Sequence, residues 1–189
     1  YFSDGFDFPY IKTRADKYKL KMDLGLDYSE LNTGKKTDFR EGKTKITGIL
    51  HLDVFKFIRN IFGKNLNTES YSLNAVSKEL LGNKKDDVNI SELAQAWDNN
   101  SEELEDFCKY NLQDAHLTLK LCQKLMYDMI EFSKIVNLPL FDVVRMKFSK
   151  LVESYIMKRT IDYNILAPNR PGRNEIEQRM EETFQGAFV

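Results

Sequence analysis

Apolar positions recur every three or four residues over most of this chain and alternate over little of it, so helices are expected to dominate. FDFPYIKTRADKY, from Phe6 to Tyr18, puts Phe6, Tyr10 and Ile11 on one face and Lys12, Arg14 and Lys17 on polar positions. Pro9 is tolerated only in a first turn, so this helix is expected to begin at Asp7 or Phe8. Lys19 to Thr44 is polar and Gly-punctuated, with alternation in KLKMDLGLDY, and reads as a hairpin or irregular excursion. KITGILHL, Lys45 to Leu52, is the strongest strand candidate. Asp53 is placed to cap the helix VFKFIRNIFG, which Gly63 closes. A helix over Ser72–Leu81, capped by Ser70 or Ser72, stops at Gly82, and a short one covers Ser91–Trp97. Ser101 opens the longest stretch, with Glu102 and Glu103 suited to the helix dipole and no Gly or Pro before Pro139. Leu104, Phe107, Cys108, Leu112, Ala115, Leu119, Cys122 and Met126 make its expected buried stripe. A further helix is expected from Phe141 to Arg159, then the linker NILAPNRPGRNE, a charged helix over Glu175–Glu182 and an extended end, FQGAFV. These elements divide the chain into residues 1–135 and a helical segment with linker over 136–189.

Composition narrows the class. At 189 residues the chain can bury a real core. No apolar run approaches the ~18 residues that cross a bilayer, and no charged segment leads into an apolar signal sequence. Two cysteines, Cys108 and Cys122, make no disulfide framework and read as reduced, buried thiols on a helix. The chain opens on Tyr1 inside an aromatic-rich stretch, which reads as a piece of a longer protein. Twenty-eight basic residues nearly balance 29 acidic ones, yet the charge is segregated. Residues 12–45 hold ten basic and six acidic side chains, 86–106 hold eight acidic and none basic, and 143–173 hold seven basic and two acidic. Basic segments at both ends suit a polyanion surface, although solvated helix faces produce the same pattern.

Two places carry candidate chemistry. In Ser3-Asp4-Gly5-Phe6-Asp7-Phe8-Pro9-Tyr10, the Asp7 carboxylate falls at a helix mouth between two aromatics. Free backbone N–H groups and the helix dipole stabilise negative charge there, and a plain N-cap is the simplest reading. In Tyr110-Asn111-Leu112-Gln113-Asp114, a phenol and a carboxylate four residues apart share one helix face. A carboxylate can hold a divalent cation while a neighbouring phenol orients a water, a combination that suits phosphodiester hydrolysis. Alone, a Tyr-x-x-x-Asp spacing occurs by chance in many helices.

Order and surroundings make these two places specific. YFSDGFDFPYIKTRA resembles the second exonuclease motif of family B DNA polymerases. GILHLDVF, YSLNAVSKELLG, ISELAQAW and YNLQDAHLTLKL follow in the order that family shows, the last resembling its third exonuclease motif. NILAPNRP and FQGAFV are similar to the segment leading to the polymerase palm, and Phe184-Gln185-Gly186-Ala187 resembles the Tyr-x-Gly-Gly/Ala element that couples the two activities. The likeness covers essentially the whole chain and is strongest to archaeal members.

The resemblance implies an α/β, ribonuclease-H-like 3′→5′ proofreading exonuclease domain, helix-rich and incomplete at its N-terminal side. It implies two Mg²⁺ or Mn²⁺ ions held by four carboxylates, hard oxygen ligands that suit such cations. Asp114 would ligate one metal, Asp7 would support the other, and Tyr110 would orient the nucleophilic water. His116 falls on another helix face and is left out. Phe6 and Phe8 would support the site or stack a frayed base. Phe184, Gly186 and Ala187 would couple editing to polymerisation. Implied partners are primer–template DNA with a single-stranded 3′ end, deoxynucleotides and a sliding clamp, in the cytoplasm and without a membrane. The sequence also departs from the family pattern. Phe2 stands where the second motif usually has Asn, Gly5 where some members have Asn, and Phe184 where Tyr is usual. The first motif, Asp-x-Glu, and the palm are not in this sequence. The segment alone is therefore expected to be nearly inactive, and its lone strand to lack neighbours, leaving the piece mostly helical. The alternative is a non-catalytic nucleic-acid-binding or scaffolding module that keeps the shape of such a domain.

Overall fold

The computed structural model describes residues 1–34, 42–63, 65–82, 92–99, 102–169 and 171–181. A π-helical turn over Ser3–Asp7 runs straight into α1, Phe8–Lys17. An antiparallel pair follows: β1 (Asn32–Gly34) and β2 (Lys43–Lys45), with Thr33 opposite Thr44. Helix α2 (Val54–Phe57) continues as a second π turn to Phe62. The remaining helices are α3 (Leu73–Leu81), α4 (Leu93–Asp98), α5 (Glu103–Val136), α6 (Leu140–Val143), α7 (Phe148–Thr160) and α8 (Arg173–Glu181). None of the described helices is long and apolar enough to cross a membrane.

Caps behave as local chemistry dictates. The Asp53 side chain accepts from Lys56 N, and Ser72 Oγ accepts from Ala75 N, which starts α3. Gly82 closes α3 at φ +69, and Asn137 closes α5 at φ +57. The main core gathers Val54, Phe57 and Ile58 from the second helical stretch, Val76 from α3, Leu121, Leu125 and Met129 from α5, and Val144. Full burial of such a side chain stabilises by about 1.5–3 kcal/mol. A smaller cluster joins Val136, Val143 and Leu151 below the end of α5.

Four expectations need correction. Lys45–Leu52 is not a strand: β2 ends at Lys45, Ile46 bridges Ile49 around Gly48, and residues 50–53 are irregular. Among the described residues no strand lies beside residues 46–52 to complete a ladder. Phe141–Arg159 is not one helix. It breaks between α6 and α7 without Pro or Gly, at the point where Arg145 turns inward. The buried row of α5 is Leu117, Leu121, Leu125, Met129 and Val136, whereas Leu112, Ala115 and Leu119 are exposed. The apolar stripe chosen from sequence was out of phase because α5 carries leucines on two faces and only one has a partner here. Cys108 is exposed and Cys122 half-buried; both are free thiols.

Candidate exonuclease site

The turn bearing Asp7 is fixed by its second residue. Asp4 is 1 % exposed. Its Oδ1 accepts from Thr44 N at 2.7 Å and Arg145 Nη2 at 3.2 Å. Its Oδ2 accepts from Arg145 Nε at 2.7 Å and Lys56 Nζ at 2.9 Å. Asp4 N donates to Asp53 Oδ2 at 2.8 Å, so one cap carboxylate serves both α2 and the π turn. Arg145 spends its remaining N–H groups on the carbonyls of Phe141 (2.8 Å) and His51 (3.2 Å), and its guanidinium lies 3.8 Å over the Phe141 ring. His51 fills the last side: Nε2 is 2.7 Å from Ser3 Oγ, and Nδ1 is 3.1 Å from both Thr44 O and Arg145 Nη2.

Titration reflects this packing. Burial alone would push the Asp4 carboxyl up, but Arg145, Lys56 and the Thr44 N–H outweigh it and hold it below the usual range. Burial pushes Asp53 up. The Asp4 charge adds to that rise, while N–H bonds from Asp4 and Lys56 oppose it. Burial, with the Asp53 charge behind it, also pushes the Tyr1 phenol up; Tyr1 Oη donates to Tyr71 O.

Asp7 sits at the end of this turn, exposed, with helical backbone and no capping bond from its side chain. The expected N-cap role is corrected: the chain is already helical from Ser3, so the carboxylate caps nothing and points to solvent. Phe6 and Tyr10 are exposed and stack at 5.7 Å with planes 14° apart, one turn from each other. Phe8 is half-buried, edge-on to His51 at 4.8 Å, which makes it packing for the turn.

Tyr110 and Asp114 stand one turn apart on α5, both half-buried. Asp114 lies two turns before Leu121 on the same face, so the pair extends the core-facing row beyond its last buried leucine. His116 is exposed. Helix α5 packs on α2 through Leu121, Leu125 and Met129, and α2 carries the cap carboxylate that holds the Asp7 turn. Phe184, Gly186 and Ala187 lie outside the described residues.

Two exposed or half-exposed carboxylates are the right donor chemistry for Mg²⁺ or Mn²⁺. Two do not suffice to hold an ion. No group of three or more metal-binding side chains forms among the described residues, and the first-motif carboxylates are not in this sequence.

Sequence reasoning read Asp53 correctly as a cap and missed Asp4, Lys56, His51 and Arg145. An Asp three residues before Asp7 and a lone Arg in an unbroken helical pattern give no short-range signal of each other. The break between α6 and α7 is visible only in the fold.

The class of protein follows from likeness to an exonuclease domain. Residues 1–76 match the family described as DNA polymerase family B, exonuclease domain. The whole chain is 35% identical to the DNA polymerase of Pyrococcus horikoshii and 34% identical to DNA polymerase 1 of Pyrococcus abyssi. It spans 15% and 24% of those relatives. A solved family B DNA polymerase from Pyrobaculum calidifontis superimposes with a TM-score of 0.76 over 92% of this chain and 22% of that one, at 22% identity. Residues 1–76 thus match the exonuclease domain of the family B DNA polymerases, the whole chain is similar to a stretch of archaeal DNA polymerases, and its fold is that of a helix-rich part of the superimposed polymerase.

Proposed function

We propose that this segment works in a DNA-directed DNA polymerase as the 3′→5′ exonuclease region, hydrolysing the terminal phosphodiester of a single-stranded or frayed 3′ end. The observation that carries the reading is the pair of acidic positions, one on the pinned turn and one on α5 beside Tyr110. Asp7 ends a pinned turn with its carboxylate unspent on capping, and Asp114 with Tyr110 extends the core-facing row of α5. Asp7 and Asp114 would supply two of the oxygen donors for Mg²⁺ or Mn²⁺, which polarise the phosphate and generate hydroxide when bound. Tyr110 orients the attacking water. The exposed Phe6 ring receives the terminal base, a sequence-tolerant contact suited to editing. Phe8 supports the turn from beneath. Residues 136–189 lead toward the polymerase palm, with Phe184, Gly186 and Ala187 as the coupling element. Primer–template DNA, deoxynucleotides and a sliding clamp are the partners of such an enzyme, in the cytoplasm that holds the DNA.

Trimming of a 5′-labelled single strand by the full-length protein in Mn²⁺ tests this. Asp7→Ala and Asp114→Ala are each expected to slow trimming by at least about a hundredfold, the scale of lost transition-state positioning. Tyr110→Phe should cost less, about tenfold to a hundredfold, at the low end of acid–base and orienting roles. Undiminished trimming in either Asp variant would sink the reading. Residues 1–189 alone should trim at a trace of the full-length rate.

The scaffold reading draws on Phe2, whose ring packs edge-on to Phe55 at 4.8 Å where the motif usually offers an amide. It predicts DNA binding that is indifferent to Mn²⁺ and to Asp114→Ala.

A further inference from the structure

Asp4, Lys56, Asp53, His51 and Arg145 come from three separate stretches of chain and converge beneath one turn. Three features separate this cluster from an ordinary structural ion pair. Its central carboxylate is enclosed, with the Arg145 side chain 7% exposed and Asp4 fully covered. Every oxygen lone-pair direction of Asp4 is engaged, by β2, by α2 and by a residue 141 positions away. And Asp4 lies three residues before Asp7 inside a continuous helical turn whose closing bond runs from Phe8 N to Ser3 O. A displacement of Asp4 therefore carries Asp7 with it, because no flexible residue separates them except Gly5, and that glycine is overlaid by the Phe2 ring.

Resting on the exonuclease reading, we infer that Arg145 is a positioning residue for the Asp7 carboxylate. It acts through a two-pronged bond to Asp4 and sets the turn from the helical segment that continues toward the polymerase. The fork requires Arg. Nε and Nη2 reach the two Asp4 oxygens while Nη1 holds the His51 and Phe141 carbonyls, and a lysine ammonium cannot span that plane. Arg145 also fixes the α6–α7 break, so the direction in which the chain leaves the domain and the placement of Asp7 depend on one guanidinium. A shift of the departing helices reaches the editing carboxylate through this contact, without the Phe184-Gln185-Gly186-Ala187 element.

The test uses the full-length protein with Arg145→Lys, which keeps the charge, Asp4→Asn, which keeps the shape, and Arg159→Lys on exposed α7 as control. Amide hydrogen exchange reads the turn directly. Arg145→Lys is expected to speed exchange at residues 4–8 by at least about tenfold, the loss of a charge-assisted bond, with α5 protection unchanged. Single-turnover trimming at saturating single-stranded DNA should slow about a hundredfold, the scale of a misplaced reacting group, with the half-saturating DNA concentration unchanged. The double variant should be no slower than the slower single. Unchanged exchange at residues 4–8 overturns the inference whatever the activity. Faster exchange with an unaltered trimming rate overturns it as well. If the unmodified protein does not trim, the exonuclease reading falls, and exchange still decides whether Arg145 sets the turn.

Discussion

Helix α2 divides the molecule into two differently built halves. On one side Phe57, Ile58, Val76, Leu121, Leu125 and Met129 pack by shape alone. On the other Asp4, Asp53, Lys56, His51 and Arg145 pack by charge and direction. Apolar packing is graded: removing a methylene costs in proportion to what is lost. The charged cluster is close to all-or-none, because deleting one partner strands the others out of water. The half nearer the proposed chemistry uses the less forgiving construction, and in return its geometry is fixed by direction as well as by contact.

The sharpest way to break this contrast is Arg145→Met, expected to destabilise by about 3–5 kcal/mol because buried Asp4 loses its two-pronged cation and keeps only Lys56, the Thr44 N–H and the His51 ring beside it. The double variant Asp4→Leu with Arg145→Met should lose less than the sum of the two singles, read from urea midpoints. Acid separates the two carboxylates of the cluster. Asp4 is held below its ordinary range, so its contribution is present above the unfolded carboxyl pKa and disappears as pH falls through the lower folded value. Asp53 is pushed up, so its contribution has the opposite sign: present below the unfolded pKa and lost as pH rises through the higher folded value. Asp4→Asn should flatten the acid limb of the stability profile, and Asp53→Asn should flatten the rise-side loss. A profile with the same slope in both variants would show that the cluster titrates as one unit.

On the apolar side, Leu121→Ala is expected to cost about 2–5 kcal/mol, the range for a buried leucine. Leu112→Ala and Leu119→Ala, both more than half exposed, should change stability by no more than about 0.5 kcal/mol. The three leucines sit on one helix and look alike in sequence, so this series decides which face of α5 is core. An equal loss at Leu119 would mean that its face is covered by something beyond these residues.

The same contrast governs what can be read from sequence. Caps at Asp53 and Ser72, the stop at Gly82 and the long α5 follow from chemistry within four residues, and all were legible. So were Tyr110 and Asp114 as a same-face pair. The phase of α5 was not, since periodicity reports that a face is apolar and not whether another element covers it. The Lys45–Leu52 segment has strand-forming residues, but a strand needs a neighbour to bond to, and only Lys43–Lys45 finds one among the described residues. Arg145 was illegible altogether: its partner lies 141 residues upstream, and its local signal, a turn in a helix-favouring stretch, is what the pairing itself creates.

Phe2 and Gly5 give the finest test, because they sit where the two constructions meet. A Cβ on Gly5 would fall 2.1 Å from Phe2 Cζ, while the Phe2 ring is itself held edge-on against Phe55. The two departures from the usual motif are thus one change: the ring occupies the space that a residue-5 side chain needs. Gly5→Asn alone should destabilise by about 1–3 kcal/mol, the cost of forcing a side chain into a filled site, even though Asn suits a helical turn better than Gly. Adding Phe2→Asn removes the ring and should recover part of that loss in thermal unfolding. Were the double variant as unstable as the sum of both singles, the ring would be contributing through Phe55 alone, and the turn above Asp4 would owe its shape to the ions beneath it rather than to the aromatic lid.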